Sequence, residues 1–301
     1  MIIKAVRGVR CSVIVILAIS AAFFWALDNV IIRIGLTHSN TRVAVLIAQL
    51  SAFIASLSVA IFTASLDRLA GRGVLYFIGA GIMGSFLARI LLYVGIHRVG
   101  SSIAAALNQT RPLFAAAAAI VILSETMTTS IALATSLMII GTATISLEQS
   151  GGQIERKWSR KNLVFPLMSG VCFGTAHVFR KMGLNVTPEP ILGVMVQNAA
   201  GLILIVSSCL VQRQRQWVGL TRGKTWFTFG LAGLSGFTAQ LCLFSALDVG
   251  HVVIVTPLVS LEPFFVLLLA GLFLKKVERV TWKIVFGAVL IVGGATMLSL
   301  T

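Results

Sequence analysis

Seven charged side chains lie inside long apolar stretches: Asp28, Arg33, Arg89, Arg111, Arg180, Lys181 and Glu262. Charge at membrane depth is costly, so such groups face a cavity or a partner. Arg111 and Glu262 each stand directly before a proline, Pro112 and Pro263. Proline removes a helical hydrogen bond and frees a carbonyl upstream, which sets each charge beside a kink. The pair can line and gate a solute path. It can equally be a static ion pair that fixes packing, or its members can lie apart. Asp28 can take a cationic group or a proton, or pair with a membrane arginine. Arg33, Arg180 and Lys181 are expected near helix ends, where long side chains snorkel to the interface.

Uncharged polar groups in the same stretches extend the set. Asn29, Asn108, Gln109, His177, Gln197, Asn198 and Gln240 are all in apolar surroundings. Hydrogen bonding between helices accounts for any one of them without a ligand. Taken together, Trp25, Asp28, Asn29, Arg89, Asn108, Arg111, His177, Gln197, Gln240 and Glu262 form the expected substrate-binding set. A central cluster drawn from helices one, three, four, six, eight and nine would be its cavity.

Other chemistry is poorly served. The cysteines Cys11, Cys172, Cys209 and Cys242 form no CxxC pair, and the histidines His38, His97, His177 and His251 lack zinc-ligand spacing. The stretch Gly219-Leu-Thr-Arg-Gly223-Lys-Thr225 imitates a phosphate loop, but Val218 stands where its first glycine belongs. No cofactor, metal or nucleotide is expected. The net charge of +15 belongs mostly to short loops between apolar runs, which suits a lipid surface and membrane topology rather than nucleic acid.

The elements that must carry these residues follow from composition. Of the 301 residues, 57% are hydrophobic and 11% charged, against about 25% charged in a soluble domain. Lipid is therefore the main solvent, and the backbone must satisfy its own hydrogen bonds. Continuous apolar runs of ~20 residues predict helices rather than a barrel. Ten are expected, near 13–36, 43–64, 74–96, 101–123, 131–147, 163–184, 191–211, 226–247, 252–274 and 282–300. The basic, apolar N-terminal stretch reads as a retained first span, since no convincing cleavage site follows it.

An internal repeat organises them. Residues 25–36 align with 173–184; Phe77, Ala80, Gly81 and Gly84 with Phe229, Ala232, Gly233 and Gly236; Pro112 with Pro263; and 141–147 with 294–300. The boundaries are 1–148 and 162–301, joined by the glycine-bearing, charged connection 149–161. An odd number of helices per unit sends the second unit through the membrane the other way up. The fold class is thus an all-α membrane protein of ten transmembrane helices in two inverted five-helix repeats.

The chain resembles the drug/metabolite transporter superfamily, in its EamA-type ten-helix branch. The resemblance rests on Trp25-Ala-Leu-Asp-Asn29, on the fourth helix from Ser102 through Pro112-Leu-Phe114 to Leu123-Ser-Glu125, and on Gly141, with the same order recurring through Pro263 and Glu278. It covers essentially the whole length. The spacing from Pro263 to Glu278 is longer than from Pro112 to Glu125, so Glu125 is the closer match to the family's helix-ending glutamate. The resemblance implies a secondary transporter, an exporter or exchanger of amino acids, metabolites or drugs working by alternating access in the inner membrane. Lipid and a small-molecule substrate would be its partners, with protons as a candidate coupling ion. A membrane-embedded enzyme would want a base and nucleophile, or a metal cluster, at one depth, and none is evident. A non-transporting sensor or assembly subunit would more often carry a soluble domain. Basic residues are more numerous on the face opposite the termini, whereas those preceding the first helix favour the terminal face as cytoplasmic; the two criteria point to opposite sides.

Overall fold

The computed structural model describes residues 2–36, 38–64, 71–99, 101–148, 160–211, 223–273 and 281–299. The described residues are helices joined by short turns. They are α1 (Ile2–Gly35), α2 (Thr41–Thr63), α3 (Gly71–Ala80), α4 (Ala88–Val99), α5 (Ser101–Asn108), α6 (Arg111–Leu123), α7 (Thr129–Glu148), α8 (Val164–Val186), α9 (Pro190–Val211), α10 (Gly223–Val249), α11 (Val252–Val259), α12 (Glu262–Phe273) and α13 (Trp282–Ser299). A π-helical segment, Gly81–Leu87, joins α3 to α4. Helix α3, this segment and α4 make the third crossing; α5 with α6 make the fourth, and α11 with α12 the ninth. Among the described residues, nine helices are long and apolar enough to span a bilayer, and Trp282–Leu298 is a shorter apolar tenth. Residues 149–159 of the expected connection, and Glu278, lie outside the described residues.

The outer surface is apolar, as lipid requires. Phe62 is 86% exposed and Val121 82%. Inside, small residues let backbones approach. Ala18, Ala21, Ala22, Ala115, Ala116 and Ala119 are buried in the main core cluster, the kind of interface on which helix association in membranes depends.

The packing repeats with the sequence. Helix α1 packs on α10 and α12, while α8 packs on α3, α4 and α6. Exchanging the halves turns one set into the other. Helix α2 meets α9, and α7 meets α13, each helix facing its own counterpart. Single residues obey the same rule. Gly35 receives the ring of Phe229, and its counterpart Gly183 receives the ring of Phe77, the counterpart of Phe229. A Cβ on Gly141 would lie 2.6 Å from the Gly287 carbonyl oxygen, and one on Gly287 would lie 2.8 Å from that of Gly141. Only glycine allows α7 and α13 this approach.

The two proline helices break rather than bend. Helix α5 ends at Asn108 and α6 starts at Arg111, with Pro112 in its first turn. Helix α11 ends at Val259 and α12 starts at Glu262, followed by Pro263. Proline has no N–H to lose in a first turn, so it settles there. Each break places the charged residue at the first position of a new half-helix.

Candidate functional site

The half-helix starts of α6 and α12 meet. Arg111 Nη2 lies 3.0 Å from Glu262 Oε2, with both side chains largely buried. Asn29 of α1 donates its amide to Glu262 Oε1 at 2.6 Å. Both carboxylate oxygens are thus engaged, one by α1 and one by α6. An acidic side chain suits a helix N-terminus; an arginine does not, and Glu262 compensates it.

Arg111 and Glu262 occupy equivalent places in the two repeats, so a bond between them straddles the pseudo-two-fold axis. A second such bond joins Gln49 of α2 to Asn198 of α9, from Nε2 to Oδ1 at 3.1 Å. Gln49 also donates to the Asn198 carbonyl at 3.2 Å. These two bonds mark the axis at two points. Because the repeats are inverted, that axis lies in the membrane plane.

Between these two bonds is a cavity of about 300 Å³. All ten residues of the expected set line it: Trp25, Asp28, Asn29, Arg89, Asn108, Arg111, His177, Gln197, Gln240 and Glu262. Asn108 lies beside Ser169, whose Oγ is 3.3 Å from Asn108 Oδ1 and donates to the Ala88 carbonyl at 2.8 Å. Gln109 and Asn198 are buried, though Asn198 is reached through Gln49 and neither lines the cavity. Asp28 Oδ1 is sealed with no hydrogen-bond partner among the described residues. Arg89 is the cation whose charge bears most on Asp28.

The cavity contains more than the expected set. Arg180 is only 4% exposed and lines it, rather than snorkelling. It lies on the face of α8 that packs inward, about two turns from the helix end at Val186. Its Nε donates to Gln197 Oε1 at 2.7 Å, and Nη1 lies 3.0 Å from His177 Nδ1. Gln197 Nε2 in turn donates to Gln240 Oε1 at 3.1 Å. Gln49, Ser85 and Tyr93 are the other unexpected polar lining residues. Ser85 belongs to the π segment, a feature common at functional sites that no residue type announces.

The cavity is one-sided. Its lining continues through Ile32, Val45, Leu92, Tyr93 and Ile96 toward the face at which α1 ends. On the opposite side, Val194 and Phe244, the counterparts of Val45 and Tyr93, are fully buried. A polar clamp holds that side. Glu125, turned back by the left-handed Ser124 (φ 54), accepts from Val252 N at 2.9 Å and Val253 N at 3.0 Å. Its Oε1 lies 3.6 Å from His251 Nδ1. Lys181 donates to the carbonyls of Leu247 at 2.7 Å and Asp248 at 3.3 Å. Thus a cation caps the C-terminus of α10 and an anion the N-terminus of α11, as helix dipoles favour.

A family model described as the EamA-like transporter family matches residues 12–147 and again 161–300. The chain belongs to that family. This EamA-like chain is therefore a multi-pass membrane protein of a family that transports small solutes. It is similar to a solved structure titled "Crystal structure of protein", at 13% identity and a TM-score of 0.78, covering 96% of this chain and 97% of that one. At that identity the likeness speaks for the fold alone. No curated protein matches the sequence.

Proposed function

We propose that the protein is a secondary transporter, an exporter or exchanger of small organic solutes, that works by alternating access in the inner cell membrane. The observation that carries this reading is the position of the cavity. It lies between two hydrogen-bonded pairs of equivalent residues, Arg111 with Glu262 and Gln49 with Asn198, and so on the axis relating the inverted halves. A site on that axis stays in place when the halves exchange conformations, while access passes from one face to the other. The broken helices support the reading, because half-helix starts at mid-depth are where transporters bind charged groups.

The lining residues have distinct parts. Trp25 and Phe173 give apolar walls. Arg111, Asn29 and Glu262 form a bond set that can open across the repeat interface. Asp28, with a sealed and unpartnered oxygen, is the candidate proton carrier.

A solute-flux screen in proteoliposomes, with and without a pH gradient, tests the function. Protein-dependent flux that saturates with solute supports it. Liposomes indistinguishable from protein-free controls across amino acids, organic acids, amines and drugs would overturn it.

A further inference from the structure

On the wall formed by α8, α9 and α10 one arginine fixes the orientation of its polar neighbours, and the ends left without a partner among the described residues are donors. Guanidinium can donate and cannot accept. The bond from Arg180 Nε therefore makes Gln197 Oε1 the acceptor. Gln197 must then turn its amide nitrogen toward Gln240, whose oxygen accepts it. Gln240 is left with its nitrogen as the free end. On the other side, the bond from Arg180 Nη1 makes His177 Nδ1 an acceptor, so the ring proton sits on Nε2. None of these hydrogen bonds uses Arg180 Nη2. Three donors without partners among the described residues thus remain: Arg180 Nη2, Gln240 Nε2 and His177 Nε2–H.

Charge points the same way. The charged residues lining the cavity are Arg89, Arg111, Arg180, Asp28 and Glu262. Glu262 neutralises Arg111, and Asp28 lies in the field of Arg89. Arg180 has no carboxylate at ion-pair distance among the described residues, although it is almost wholly buried. The charges that bear on it are those of Arg111 and Arg89, which repel it. An uncompensated buried charge is costly unless something pairs with it.

We infer that the transported solute is an organic anion of net charge −1, its carboxylate docking on Arg180 Nη2 and the donors of Gln240 and His177. This deepens the transport reading of the same cavity and rests on it. A carboxylate matches this lining well, since its two oxygens can accept from several donors at once. A cation docked on Arg180 and its neighbours would meet like charge and donors, and a neutral solute would leave Arg180 without a counter-charge.

The charge preference of the cavity can be measured before any solute is identified. In protein whose native cysteines are replaced by serine, Ser85→Cys puts a thiol in the cavity lining. Its reaction rates with two methanethiosulfonates are compared, one bearing an ethylsulfonate and one a trimethylammonioethyl group. Each rate is normalised to a free thiol in solution. The anionic reagent should be favoured by on the order of tenfold or more. Arg180→Gln should abolish the preference, while Arg180→Lys should keep most of it. A normalised ratio at or below unity, or one unchanged by Arg180→Gln in protein that melts like its parent, would overturn the inference. In parallel, proteoliposomes take up an equimolar mixture of lactate, glutamate, alanine and putrescine, read by mass spectrometry. Accumulation of either anion supports the proposal, and accumulation of alanine or putrescine alone overturns it. If none of the four enters, the thiol ratio alone decides whether the cavity selects anions, and the broader flux screen decides the transport reading.

Discussion

Asn29 occupies the carboxylate oxygen of Glu262 that Arg111 leaves free. A single glutamate at the start of α12 therefore ties α1 and α6 together at the repeat interface. Replacing Glu262 by Gln removes the counter-charge of Arg111 and weakens both bonds. A hydrogen bond to a charged group contributes about 1.5–3 kcal/mol, so flux should fall at least ~10-fold and the melting temperature should drop. The exchange Arg111→Glu with Glu262→Arg should recover part of the stability, because the pair survives with its ends reversed. A double-mutant cycle on melting temperature and flux measures this; strict additivity would show that the two side chains do not act together.

Glu125 and Lys181 clamp the turn between α10 and α11. Substituting Glu125 by Gln leaves one oxygen to accept where two accepted before. Loss of a helix N-cap costs about 1 kcal/mol, equivalent to about a fivefold change in population. Leu247→Cys, fully buried behind the clamp, should then react several-fold faster with a membrane-impermeant maleimide applied on that side. An unchanged rate would mean that the clamp does not hold the seal.

Gly183 lies against the ring of Phe77, which is itself packed on Phe244 with centroids 5.9 Å apart. Phe77 has no room to retreat, so Gly183→Ala should destabilise the protein by about 1–3 kcal/mol, as overpacking does. Trimming the ring with Phe77→Leu should recover part of the loss. Thermal unfolding in detergent would show it. The symmetric pair, Gly35 with Phe229, should behave alike.

Asp28 bears on coupling. If it carries the proton, Asp28→Asn should make flux indifferent to a pH gradient while downhill exchange persists. Flux assays at matched and unmatched internal pH distinguish the cases. Should Asp28→Asn and Glu262→Gln both keep the full response to the gradient, proton coupling through this cavity is wrong.

The ten lining residues are legible in the sequence for one reason. A polar group in an apolar run has few places to go, and here those places converge. The repeat is legible because Pro112 and Pro263, or Gly35 and Gly183, keep their spacing and their neighbours. Arg180 is misplaced by sequence because adjacent basic residues near a helix end look alike, whereas the packed face of α8 takes in Arg180 and leaves Lys181 partly exposed. Gln49 gives no signal, because amides in membrane helices usually bond to a neighbouring helix, as this one also does. Sequence predicts kinks before Pro112 and Pro263, and the helices stop at Asn108 and Val259, the residues whose carbonyls those prolines free; that the chain breaks there rather than bends is not legible.

The π segment in the third crossing has no twin. Helix α10 runs regularly from Gly223 to Val249 through the corresponding stretch. The count of residues agrees: the interval from Gly84 to Pro112 is one longer than that from Gly236 to Pro263. A wide turn absorbs one surplus residue without unwinding its helix. If the halves were identical, facing inward and facing outward would be degenerate conditions of the molecule. In the proposed alternating-access cycle the inserted amino acid is one built-in difference between the halves, and so one source of a preferred resting side.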